Sequence, residues 1–211
     1  MYRIALIFIL TIYSLLLAGQ TVNYEVIRGE KKLGDMTVKR SMQQEEVFYE
    51  IKSKVVFKLL FSFTIDYEST SEYKRDRLIK EYTHNQLNGN TQKKSTIWWD
   101  GKVYTLDLDG SRINFSNKIE YSVASIYFEE PTDGQQVFSP QFGKYLSFVK
   151  IGPHKYEMQS PDGLNVYSYT NGICTEVKVN RDFARFSFVM TPESLVAVQK
   201  KIITGGGANV D

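Results

Sequence analysis

The sequence predicts an all-β fold, an antiparallel meander bent into a strongly curved sheet or open barrel, with a two-sheet sandwich as the remaining arrangement. Three observations carry that expectation. Asn88-Gly89, Asp100-Gly101, Asp109-Gly110 and Asn171-Gly172, joined by Pro161-Asp162-Gly163, place residues that tolerate positive φ where tight hairpins need them. The runs between these turns are rich in β-branched and aromatic residues, in a chain with 14 Tyr, 13 Phe and two Trp among 211 residues. Strands joined by such short turns are antiparallel neighbours, and no internal repeat or linker divides residues 21–190, so one domain is expected.

Residues 1–20 read as a signal peptide: Arg3 is the one charge, an apolar run extends from Ile4 to Ala18, and Ala18-Gly19 supplies small residues for cleavage within residues 18–21. An uncleaved anchor is the other reading, disfavoured because the run is shorter than the ~20 residues a spanning helix needs. Leu16-Leu17-Ala18-Gly19 resembles a lipoprotein processing signal, but Gln20 stands where the lipid-bearing cysteine must be. The expected product is exported to the periplasm or secreted, without a lipid anchor and without a membrane span once the signal is removed.

Residues 54–65, KVVFKLLFSFTI, are more apolar than a half-buried strand requires. Two readings fit: a central strand covered on both faces, or a lip in which Phe57, Leu60, Phe61 and Phe63 line an apolar cavity. Trp98 and Trp99, on opposite faces before a turn, are further candidates for ligand contact, as are Tyr127 and Phe128.

Taking Asp100-Gly101 and Asp109-Gly110 as central turn residues sets a register. Trp99 then faces Lys102 and Ile97 faces Tyr104; in the next hairpin Leu108 faces Ser111, Leu106 faces Ile113 and Tyr104 faces Phe115. One face collects Ile97, Trp99, Tyr104, Leu106, Ile113 and Phe115, while Asp107 opposes Arg112 on the other. Around Asn171-Gly172 the same counting groups Val166, Ser168 and Thr170 with Ile173, Thr175 and Val177, and a last strand runs from Phe183 to Val189.

Two segments depart from the strand pattern. Residues 121–129 have apolar residues near helical spacing and stop before Pro131, predicting a short helix or helical turn. In residues 191–211, Thr191 caps a C-terminal helix with Pro192 in its first turn and a Leu195, Val198, Ile202 stripe, ahead of a glycine tail at 205–207.

The reactive inventory is small. His84, His154 and Cys174 are the only histidines and cysteine, so neither a disulfide nor a zinc site of ordinary spacing is expected, and no metal or other cofactor. There is no Gly-x-Ser-x-Gly elbow or phosphate loop, and Glu129, Glu130 and Asp133 read as solvated loop acids. No catalytic residue is assigned. With 26 Lys+Arg against 24 Asp+Glu, nucleic acid is not an expected partner.

YEVIRGEKKLGDM at 24–36, VVFKLLFSFTIDYES at 55–69, YSVASIYFEEP at 121–131, VFSPQFGKY at 137–145 and NRDFARFSFV at 180–189 together resemble a family of exported Gram-negative β-rich proteins known only as a domain of unknown function. The resemblance spans residues 22–190 and implies an envelope protein with an architecture comparable to half-open barrels that carry lipids or lipoproteins. It transfers no activity. The expected role is non-enzymatic: binding a lipid or other apolar ligand on or inside the curved sheet. Participation in an envelope assembly, with another envelope protein as partner, is the alternative, and a hydrolase-type enzyme stands third.

Overall fold

The computed structural model describes residues 18–58, 62–181 and 184–205. The strands are β1 (Ala18–Arg28), β2 (Lys31–Gln43), β3 (Glu46–Lys58), β4 (Ser62–Lys74), β5 (Arg77–Leu87), β6 (Asn90–Trp99), β7 (Tyr104–Leu108) and β8 (Ser111–Phe115). They continue as β9 (Gln136–Ser139), β10 (Lys144–Gly152), β11 (Lys155–Ser160), β12 (Gly163–Thr170), β13 (Ile173–Arg181) and β14 (Ala184–Met190), followed by helix α1 (Pro192–Gly205).

All 14 form one antiparallel sheet in the order β8-β7-β6-β5-β4-β3-β2-β1-β14-β13-β12-β11-β10-β9. Every pair but one is a sequential hairpin or neighbour. The exception, β1 with β14, joins the two ends of the meander in mid-sheet and makes β8 and β9 the edges. The sheet curls until those edges approach. Phe115 on β8 lies 5.4 Å from the Phe138 ring on β9 and 6.0 Å from Tyr145 on β10, although no ladder joins β8 to β9. The barrel is therefore half open, with a seam.

Residues 116–135 must cross from one edge to the other, and they do so by folding inward. Ile119, Ser122, Ala124, Ser125, Ile126 and Phe128 are all buried. The fold is pinned on both sides of the seam: Leu78 N donates to Ile119 O at 2.9 Å, and Phe138 N donates to Tyr121 O at 2.8 Å, which occupies the outer edge of β9. Backbone groups that would be orphaned inside thus find partners. The helical turn expected at 121–129 is a single 3-10 turn over Ser125–Tyr127. Just before it, Val123 N donates to Phe138 O on β9 at 3.1 Å, so the backbone there is already committed to a strand.

Period-two alternation supplies the inner wall: Val22, Tyr24 and Val26 on β1, Met36 and Val38 on β2, and Phe148, Tyr156, Tyr167 and Val177 farther round are all buried. Burial of each large apolar side chain stabilises the fold by about 1.5–3 kcal/mol. Asn88-Gly89, Asp109-Gly110 and Asn171-Gly172 each adopt positive φ at both residues, as two-residue hairpins require.

The β7–β8 register is the expected one, with Leu108 opposite Ser111, Tyr104 opposite Phe115, and Arg112 Nε paired to Asp107 Oδ2 at 2.9 Å. Three expectations are corrected. Trp99 pairs with Tyr104 and Ile97 with Leu106, because the Asp100 carboxylate caps Lys102 N and Val103 N at 2.8 Å each and widens the loop. Beyond Asn171-Gly172, a bulge at Thr175 sets Tyr167 opposite Val177 instead of Glu176, so Tyr167, Tyr169, Cys174 and Val177 share the inner face. Ile113 is 48% exposed, because on edge strand β8 it is Phe115, nearer the seam, that packs on the core while Ile113 does not.

Of the final strand, Phe183 lies outside the described residues; the rest is β14. Thr191 Oγ1 accepts from Ser194 N at 3.3 Å, capping α1, and Leu195 and Val198 pack on the core. The Ile202 side chain and residues 206–211 lie outside the described set.

Candidate functional site

The inward fold fills one half of the curled sheet and leaves the other half hollow. In the filled half Tyr49 packs edge-on against Tyr73, and Tyr104 donates to Leu78 O at 2.9 Å while accepting from Ile119 N. The hollow half lies toward Phe57 on β3, Phe63 on β4, Leu87 on β5, Pro161 and Arg181, and holds a cavity of about 860 Å³. That is within the roughly 300–1,000 Å³ of small-molecule sites.

Its wall is mostly apolar. Ile51, Val55 and Phe57 come from β3, Phe63 and Ile65 from β4, Val177 and Val179 from β13, and Phe186 and Phe188 from β14. The aromatic rings pack on one another, with Phe57 stacked on Phe63 at 4.9 Å and edge-on to Phe186 at 5.5 Å. Val123 and Tyr127 of the inward fold form the floor. Tyr127 also meets Tyr24 edge-on at 5.8 Å.

One side of the cavity is polar. Asn85, Gln92, Gln141, Asp162, Asn165 and Arg181 line it where the seam is bridged. Asp162 is held by Lys93 Nζ at 3.4 Å and by Gln141 Nε2 at 2.9 Å. Arg181 donates through Nη1 to Asn165 Oδ1 at 2.9 Å, and the same amide donates to the Tyr167 hydroxyl at 3.0 Å. Partial burial lowers the Arg181 pKa from its ordinary value, although Tyr167 and Asp162 act to raise it.

Of the residues singled out from sequence, Phe57, Phe63 and Tyr127 meet in this cavity, and Leu60 and Phe61 lie outside the described residues. Phe128 is instead buried in the filled half, 6.1 Å from Tyr49 and beneath Arg40. Trp98 and Trp99 sit at the far end of β6, beside the β6–β7 loop. Trp99 packs under Arg77 at 4.3 Å, and Trp98 lies 6.0 Å from Arg112. Distance along β6 keeps both from the cavity.

Phe186, Phe188 and Arg181 were missed as site residues. The signal for Arg181 was available: Val177, Val179 and Arg181 alternate on one face, so a cation ends an apolar row.

The reactive side chains do not converge. His84 Nε2 lies 2.8 Å from Thr91 Oγ1, and His154 Nδ1 bonds Glu130 at 3.0 Å, which also accepts from the Tyr156 hydroxyl. Asp133 accepts from Lys150 N at 2.9 Å. Cys174 is buried, and desolvation raises its thiol pKa well above the ordinary range. Among the described residues no group of His, Cys, Asp and Glu is placed to hold a metal ion.

A single antiparallel sheet, curled into a half-open barrel around an inward-folded crossing and a residual chamber, defines an all-β, barrel-like protein. This chain belongs to the family described as a domain of unknown function, DUF6134, whose model matches residues 24–191. Among solved structures it is similar to the crystal structure of a beta-barrel-like protein of domain of unknown function DUF1849 from Brucella abortus. The two share 11% identity at a TM-score of 0.48, over 83% of this chain and 96% of that one. No curated protein matches, and no enzyme family is indicated.

Proposed function

We propose that this protein is a non-enzymatic carrier or sensor that encloses a lipid or another apolar ligand in the hollow half of its sheet. The observation that carries the reading is the cavity of about 860 Å³ whose walls are Phe57, Phe63, Ile65, Phe186 and Phe188. Apolar walls facing a hollow either contact water or forfeit dispersion contacts, and an apolar occupant removes both costs. The crossing supports the reading because it fills only half the interior and presents Val123 and Tyr127 as a floor.

Export through a signal peptide over residues 1–20, with the mature protein acting in the periplasm or outside the cell, belongs to the same proposal. It rests on the charge and apolar pattern of those residues.

Native mass spectrometry of protein purified without detergent from its own host tests the reading, together with titration by the neutral apolar dye N-phenyl-1-naphthylamine. A retained lipid mass and saturable dye binding are expected, with Ile65→Trp weakening the dye by about tenfold through occupied volume. Repeated recovery of bare protein that also fails to bind the dye would overturn it.

A further inference from the structure

Charge around the cavity is uneven. Among the described residues, Asp162 and Arg181 are the charged side chains in its lining. Asp162 is neutralised by Lys93, whose ammonium also lies 4.4 Å from the Phe142 ring. Arg181 has no such counterpart: among the described residues its guanidinium forms no ion pair, and its hydrogen bonds run from Nη1 to Asn165 Oδ1 and to Asn180 O. Nη1 is thus pinned, and the Nε–Nη2 edge makes no hydrogen bond among the described residues. That edge is the two-donor fork that matches an oxyanion.

Among the described residues the local balance is one cation in excess, against a wall otherwise made of amides, hydroxyls and apolar side chains. Removing a guanidinium from water without a partner is unfavourable, so a bound anion gains here what it would not gain on an open surface. One excess charge suits a monoanion better than a dianion.

Resting on the apolar-ligand reading above, we infer that Arg181, oriented by Asn165, forms the anion-holding pole of the cavity, and that the occupant is an amphiphile with an apolar tail and a monoanionic oxyanion head. A carboxylate and a phosphodiester share that chemistry. Asn165 acts as a positioning residue, since its amide is held in turn by the Tyr167 hydroxyl.

Displacement of N-phenyl-1-naphthylamine from the full chain tests this, with oleate, oleoyl-lysophosphatidylglycerol and methyl oleate as competitors. At least one anionic amphiphile should compete at about tenfold lower concentration than the methyl ester, the preference expected of a charge-assisted fork. Which of the two does so identifies the head. Arg181→Gln should reduce that preference to within about threefold, read as the ratio of competitor concentrations within each protein so that any change in dye affinity cancels.

Equal competition by methyl oleate in the wild type, or a preference that survives in Arg181→Gln, would overturn the inference while leaving the cavity reading intact. Absence of dye binding would overturn both. If Arg181→Gln fails to fold, Arg181→Lys replaces it. A reduced preference that weakens further with added salt supports the assignment, and an unchanged preference overturns it.

Discussion

Glu81 and Ser122, 41 residues apart, meet inside the curled sheet: the Ser122 hydroxyl donates to Glu81 Oε1 at 3.4 Å, and Ser71 on the neighbouring strand donates to the same oxygen at 3.0 Å. The pair ties the inward fold to the wall of the barrel. Glu81 is 1% exposed, and its Oε2 has no hydrogen-bond partner among the described residues.

Burial pushes the Glu81 carboxyl up to about 8 from an ordinary 4.5, against the lowering effect of Ser71 and Ser122. Below pH about 4.5 both folded and unfolded chains hold the proton and nothing is lost. Between there and pH 8 the unfolded chain ionises freely while the folded one keeps its proton, so stability falls, and the loss levels off above 8. A shift of that size corresponds to on the order of 5 kcal/mol when complete. The melting temperature of the wild type relative to Glu81→Gln is expected to drop as pH rises from 5 to 8.5. Parallel profiles would show that Glu81 is not protonated in the fold.

Ile126, in the 3-10 turn of the crossing, is fully buried. Ile126→Ala is expected to cost about 2–5 kcal/mol, since the pinned backbone on either side limits collapse into the vacated space. Urea unfolding measures it, and a change under about 1 kcal/mol would mean that the crossing does not support the core.

Cys174 has no exposed surface, and burial disfavours its thiolate. Reaction with a disulfide reagent at pH 8 should therefore proceed at the rate of opening and accelerate in urea. Immediate stoichiometric labelling of folded protein would contradict the placement of Cys174 on the inner face.

At the start of α1, Thr191 N donates to Asn23 O and Asn23 N donates to Ser194 Oγ, both at 2.9 Å, so the first helical turn is stitched to β1. Thr191→Ala removes the cap on Ser194 N and should cost about 0.5–2 kcal/mol. Thermal melts of the two proteins give the comparison, and Thr191→Asn should recover most of the loss.

Parts of this architecture were legible because they are local. Asp109-Gly110 adopts positive φ at both residues, so counting outward reproduces the β7–β8 register. At Asp100 the same counting errs by two residues, because a short carboxylate can cap backbone amides as readily as sit in a two-residue turn. A shift of two preserves the face, and Ile97, Trp99, Tyr104 and Leu106 remain on the inner side. A one-residue bulge at Thr175 does not preserve it, and Tyr167 gained an inner neighbour in Val177 that no turn signal announced.

The candidate site was legible to a lesser degree. The aromatic run pointed to Phe57 and Phe63, which lie at the hollow end, whereas the paired tryptophans pointed to a loop at the other end. Glu81 gave no signal, because an acid between Lys80 and Tyr82 in a strand reads as solvated until the wall and the inward fold enclose it.

Sequence alone determined the strands, most of the turns, the alternation of faces and the family, since hairpin geometry and a period of two are set by residues a few positions apart. Tertiary structure decided that β1 pairs with β14, that the edges meet at a seam crossed from inside, and that half the interior stays hollow with Arg181 at its side. Those features depend on contacts between distant segments and on whether the side-chain volumes of many strands add up to fill the space the curled sheet encloses, a sum that no local pattern contains.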